Sequence, residues 1–270
     1  MYWKLFKRSW KEVVNNLNLA LPDFFELLLI AVLGVAALYF SGLWGLILSL
    51  GNSTEEQAAK LLSYFISNPV NIVKAVTGVI AFAVTTFFIG ASLQVVKFKM
   101  FKDLINKKKI SFIRSFAPAN KEYYWKFIGV KIAIFLTFIL GLIIAAAIGI
   151  LSSLASKTVG EVIFILLLIV IVVYLFLMIF FIYPIMFIMG KGISETFKIS
   201  FKFSRRNIKN VLMTLLIMLL TLIAINFVVS WIITPFEDYF ALGIVISSLL
   251  LLIPGVWASY FTFAVYKTVK

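Results

Sequence analysis

The stretch 162–190, VIFILLLIVIVVYLFLMIFFIYPIMFIMG, contains no Asp, Glu, Lys or Arg. A run of that length and composition crosses about 30 Å of hydrocarbon, for which roughly 20 apolar residues suffice. No regular spacing of polar residues prepares one side of it for water. Five further runs of spanning length lie near 24 to 50, 70 to 96, 127 to 151, 211 to 233 and 240 to 266. The expected fold is all-α and integral to a membrane: six transmembrane helices in a single polytopic domain covering 1–270.

Composition agrees with that count. Of 270 residues 63% are hydrophobic and the mean hydropathy is +1.09, where soluble domains are roughly 45 to 50% apolar. A net charge of +14 would first suggest nucleic acid as partner, but these charges sit in short segments between apolar runs, so no nucleic acid is expected. Anionic headgroups attract each such juxtamembrane cation by about 1 kcal/mol, and membrane lipids are the expected partners.

The cations are one-sided. Lys4, Lys7, Arg8 and Lys11 precede the first span, a dense group runs from Lys97 to Lys126, another from Lys191 to Lys209, and Lys267 and Lys270 come last; the alternate connections hold only Lys60 and Lys157. By the positive-inside rule the dense set is cytoplasmic, which places both termini inside. The basic N-terminus precedes a run far longer than a signal-peptide core and is expected to lead into a retained span. The expected location is the plasma membrane of a prokaryote.

Each odd-numbered span is preceded by a basic, aromatic stretch sharing Phe-x-x-Ser-aromatic: Phe6, Ser9, Trp10; Phe112, Ser115, Phe116; Phe197, Ser200, Phe201. The pattern also occurs inside the fifth span at Phe227, Ser230 and Trp231, but there it lacks the basic flanks. Trp3, Phe6, Trp10, Val13 and Leu17 recur at helical spacing opposite Lys4, Lys7, Arg8 and Lys11. That is an amphipathic helix suited to the headgroup plane. The expected plan is three pseudo-repeats, about 1–98, 99–190 and 191–270, each an interfacial helix plus two spans. Trp3, Phe6, Trp10, Phe112, Phe116, Phe197 and Phe201 are its interfacial anchors.

The first span of each repeat carries small or polar residues at every fourth position: Ala37, Ser41, Gly45, Ser49; Gly141, Ala145, Gly149, Ser153; Asn226, Ser230, Thr234. Such ridges let backbones approach closely. Two readings stay open, tight helix packing or three ridges meeting to line a polar vestibule. The second spans carry Gly90, Pro184, Pro254 and Gly255, where kinks are expected as plain bends or as hinges.

Chemistry has few residues to use. Cys and His are absent, which removes disulfides, imidazole catalysis and the common zinc sites. The Asp and Glu residues are scattered and no phosphate-binding glycine loop occurs, so neither an enzyme, a metal nor a cofactor is expected. Two charges fall about one turn inside spans, Glu26 in the first and Lys131 in the third. They are candidates for an ion pair, or alternatively a helix-start acid and a snorkelling lysine.

The stretches FKRSWKEVVNNL and FKISFKFSRRNIKN, each entering a span, together with late breakers in even spans, resemble a loosely related group of uncharacterised six-span bacterial and archaeal membrane proteins, similar in turn to the membrane domain attached to some glycerophosphodiester phosphodiesterases. The resemblance implies a membrane domain and no catalytic residues, since the soluble phosphodiesterase domain has no counterpart in this chain. Two functions are carried forward: binding or conducting lipid-like or other small molecules, and a non-catalytic scaffold whose basic helices hold anionic lipid or a soluble protein partner.

Overall fold

The computed structural model describes residues 1–48, 54–154, 156–234 and 240–270, with backbone alone at 46–48, 54–59, 61 and 240–242. The described residues form α1 (Tyr2–Val14), a 3₁₀ turn (Leu17–Ala20), α2 (Leu21–Phe40), α3 (Leu43–Leu48), α4 (Thr54–Ser67), α5 (Pro69–Ile105), α6 (Phe112–Ser153), α7 (Lys157–Ile179), α8 (Ile182–Met189), α9 (Ile193–Arg206), α10 (Ile208–Ile233) and α11 (Phe240–Val269). Six helical segments are long and apolar enough to cross a membrane: Leu17–Phe40, Pro69–Ile105, Phe112–Ser153, Lys157–Met189, Ile208–Ile233 and Gly243–Val269. The protein is an all-α, multi-pass membrane protein. Along α7 alone, Ile165, Leu166, Ile169, Val170 and Val173 are each more than half exposed, a surface that only hydrocarbon solvates without penalty.

Two compact units divide the chain, Pro22–Gln94 and the remainder, Met1–Leu21 with Val95–Lys270. In the 22–94 unit the first span ends at Phe40, well before the expected limit near 50. The cause is local. Gly42 takes φ +75, a left-handed conformation that suits glycine, and the Tyr64 hydroxyl sits 2.7 Å from where a β-carbon would be. The segment expected as a plain connection holds α4, and Asn68 then caps α5, its side-chain oxygen accepting from Val70 N at 3.0 Å, with Pro69 in the first helical position that proline favours.

In the larger unit α6 pairs with α7 and α10 with α11, α1 lies on α11, and α9 lies on α7 and α8. Burial concentrates at the basic ends. Phe98 at the end of α5 stacks on Tyr183 of α8 at 5.2 Å and on Phe263 of α11 at 5.4 Å; Tyr123 of α6 stacks on Phe187 at 4.5 Å. Within α5 the Lys99 ammonium grips both Asp103 oxygens at 2.7 Å.

Of the three amphipathic helices expected ahead of the odd-numbered spans, α1 and α9 exist as separate elements and the one ahead of the third span does not. There Phe112 and Phe116 belong to the first turns of α6, which continues through Pro118 to Ser153. Proline costs a helix one hydrogen bond and some crowding, and a long apolar helix tolerates that with a bend. Gly90 and the Pro254–Gly255 pair likewise lie inside the continuous helices α5 and α11. Of the four expected kink residues, Pro184 alone lies beside a break in its helix, between Ile179 and Ile182.

Candidate functional site

The basic helices are seated by small, directional contacts. On α1, Ser9 is buried and its hydroxyl accepts from the Trp257 indole at 3.0 Å while donating to Phe6 O at 2.9 Å. Phe6 and Trp10 meet the Trp257 ring edge-on at 5.2 and 5.4 Å. Tyr2 reaches α10, donating to Asn210 Oδ1 at 2.6 Å, and burial pushes its phenol pKa up. Trp3 alone of the aromatic stripe is well exposed. The expected anchors Phe6 and Trp10 are thus spent largely on protein. Periodicity shows that a face is apolar, not whether lipid or protein covers it.

On α9 the buried stripe is polar: Thr196, Ser200 and Ser204 are each fully buried, one turn apart. Two of them serve the break in the fourth span. Ser200 and Ser204 donate to the Met178 carbonyl at 2.8 and 3.3 Å, an oxygen at the end of α7 beside the interruption. Freed carbonyls at a broken span are commonly met by serine hydroxyls. Phe197 and Phe201 flank the stripe, half-buried. Replacing both serines by alanine leaves that acceptor unpaired and should cost about 1 to 2 kcal/mol in detergent unfolding, with Ser200→Ala carrying most of it. A double variant that melts like the parent would show the bonds to be dispensable.

With these stripes turned inward, every cation on both helices is exposed: Lys4, Lys7, Arg8 and Lys11 on α1, and Lys198, Lys202, Arg205 and Arg206 on α9. Besides an open recess of about 530 Å³ along α1 itself, lined by Lys4, Lys7, Arg8, Lys11, Glu12 and Asn15, two recesses lie beside them. One, of about 210 Å³, is walled by α1, Ile105 and α11. In it the Glu12 carboxylate accepts from Tyr260 at 2.7 Å and from Arg8 Nε at 2.9 Å, and that carboxylate raises the Arg8 pKa. The other, of about 430 Å³, lies between α9 and the end of α11 and is lined by Ile199, Lys202, Phe203, Arg206, Asn207, Val269 and Lys270. Neither arrangement holds a nucleophile beside a base. Among the described residues no group of three His, Cys, Asp or Glu could hold a metal ion.

The remaining sequence candidates fall into place as follows. Glu26 accepts from Gln94 Nε2 at 2.8 Å, and its oxygen stands 2.9 Å from where a β-carbon on Gly90 would be. Gly90 therefore makes room for the carboxylate. Lys131 is half-buried with its ammonium over the Phe127 ring at 5.1 Å. The two residues expected as a pair belong to different compact units. Of the ridges, Ala37 and Ser41 pack on Gly78, at 3.3 and 3.2 Å from its would-be β-carbon. Gly141, Ala145 and Gly149 are buried in α6, the two glycines facing Ile171 and Phe164 of α7, while Ser153 is exposed at the end of that seam, against Gly160. Asn226, Ser230 and Thr234 are exposed, with Asn226 donating to Leu222 O at 2.9 Å and Thr234 to Ser230 O at 3.0 Å along their own helix; Ser49 lies outside the described residues.

Three contacts were missed from sequence: Ser9 with Trp257, Ser200 with Met178, and Gln94 with Glu26. A signal existed for two of them, the Thr196–Ser200–Ser204 spacing and the Gly90–Gln94 spacing, each one helical turn. No family model, no curated protein and no solved structure matches this chain.

Proposed function

We propose that the protein binds lipid-like molecules, specifically anionic phospholipid headgroups, through α1 and α9 at its basic end. One observation carries this reading: both helices bury a stripe on the spans while each of their lysines and arginines is exposed. Eight cations held at the level where spans emerge attract anionic lipid by about 1 kcal/mol each near the surface. The positive-inside rule supports a cytoplasmic position for that end, and with it for both termini, in a prokaryotic plasma membrane. Conduction has less support. In the larger unit Phe98, Phe127, Tyr183, Phe187 and Phe263 pack ring against ring at the basic end, and a solute path there would have to displace them.

Native mass spectrometry of protein extracted in mild detergent and offered equal phosphatidylglycerol and phosphatidylcholine tests the reading. Stoichiometric retention of phosphatidylglycerol is expected. Equal retention of the two lipids, or a co-purifying protein in place of lipid, would refute it.

A further inference from the structure

Resting on the lipid-binding reading, we infer that the recess between α9 and the end of α11 is the discrete site for the phosphate of one anionic phospholipid. Lys202 and Arg206 stand one turn apart on α9 and both line it, so their charges share one face of the helix. Arginine offers a planar fork that matches two phosphate oxygens, and lysine adds a mobile point charge. Ile199, Phe203 and Val269 form an apolar wall for the glycerol end of the acyl chains, and Asn207 and Lys270 complete the lining.

That wall is held in place. The Phe203 ring is edge-on to Phe181 at 5.3 Å and to Tyr266 at 4.9 Å, and the Tyr266 hydroxyl donates to Met189 sulfur at 3.1 Å. Asn207 ends α9 by donating its side-chain amide to Phe203 O at 3.0 Å, which fixes where Arg206 leaves the helix. Charge separates this recess from those around α1. Glu12 lines both of the latter and offsets Arg8 directly at 2.9 Å, whereas no Asp or Glu side chain lines the α9 recess. No acidic side chain of its lining offsets Lys202, Arg206 and Lys270, which favours an anion there.

The test compares K202Q/R206Q with K4Q/K11Q, which removes the same charge from α1, and with K202R, which keeps it. Phosphatidylglycerol binding is titrated in phosphatidylcholine-doped micelles, and each variant's melting point without added lipid confirms that it is folded. K202Q/R206Q is expected to lose the one stoichiometrically retained phosphatidylglycerol and to weaken its binding about tenfold or more; K4Q/K11Q keeps that stoichiometric lipid and weakens binding several-fold less, through loss of general attraction alone, and K202R behaves as the parent. Equal weakening in the two double variants would mean diffuse attraction and overturn the site. Competition by millimolar inorganic phosphate would reassign the recess to free phosphate and overturn the lipid assignment. If the parent itself shows no preference for phosphatidylglycerol, the broader reading fails instead.

Discussion

Trp257→Ala is expected to be among the most destabilising single substitutions in the chain, at about 3 to 5 kcal/mol, as for buried aromatic truncations in general. Trp257 is fully buried. Its ring meets Phe6, Trp10 and Phe261 at 5.2, 5.4 and 5.3 Å, so truncation opens a cavity whose lining comes from both α1 and α11. Its indole N–H also leaves Ser9 Oγ without that donor. In a membrane protein packing rather than water exclusion holds helices together, and a lost ring is not refilled by lipid in so enclosed a place. Trp257 supplies the aromatic seat of α1 on α11, beside the bond from Tyr260 to Glu12, so loosening of α1 should accompany the loss.

The measurement is unfolding in mixed micelles with limited proteolysis of the first 16 residues as a second readout. Trp257→Phe should recover most of the packing and keep only the cost of an unpaired Ser9, about 1 kcal/mol. Trp3→Ala is the control, since Trp3 is 65% exposed. Should Trp257→Ala cost no more than Trp3→Ala, the anchoring of α1 described above is wrong. The consequence for function is direct: with α1 loose, Lys4, Lys7, Arg8 and Lys11 no longer present a fixed basic face, and the general attraction for anionic lipid should weaken in parallel with stability.

How much of this was legible beforehand depends on the length scale of each feature. The six spans were readable because hydrocarbon thickness sets a threshold that a run such as 162–190 exceeds without reference to any other residue. Their limits were less so. Phe40 ends the first span through the left-handed Gly42 and a contact with Tyr64, 22 residues on. Helical spacing marked α1 as amphipathic, yet it could not say that Phe6 and Trp10 would be covered by Trp257. That partner is remote in sequence and carries no periodic mark. The fourfold ridges likewise named faces and not partners. Ser41 met Gly78, and Gly149 met Phe164, so two ridges face the next span of their own hairpin, whereas Asn226, Ser230 and Thr234 of the third stay exposed. The polar stripe of α9 escaped notice because Thr and Ser on a basic helix look like solvated positions. Only the open Met178 carbonyl makes them interior residues.

The same hairpin yields the second large effect. Gly160→Ala would place a β-carbon 2.7 Å from the Ser153 backbone nitrogen and α-carbon and 2.6 Å from its β-carbon. Backbone cannot rotate aside as the tip of a long side chain does, so α6 and α7 must part where Ser153 meets Gly160. The connection from Ser153 to Lys157 is too short to absorb that motion: Gly160 N already bonds Ser156 O at 2.9 Å in the first turn of α7. Overpacking costs about 1 to 3 kcal/mol in ordinary cores, and the upper part of that range is expected where the opposing atoms are main chain. Gly149→Ala, which meets Phe164 Cβ at 2.7 Å, should follow closely, and the pair together should open the seam far enough to raise the yield of labelling at a cysteine placed at Ala145. Gly255→Ala provides the contrast. Nothing lies within 4 Å of its would-be β-carbon, and alanine favours a helix over glycine by up to about 1 kcal/mol, so that variant should be neutral or slightly more stable. An ordering in which Gly255→Ala destabilises as much as Gly160→Ala would show that the small-residue ridge of α6 does not set how closely the two spans approach.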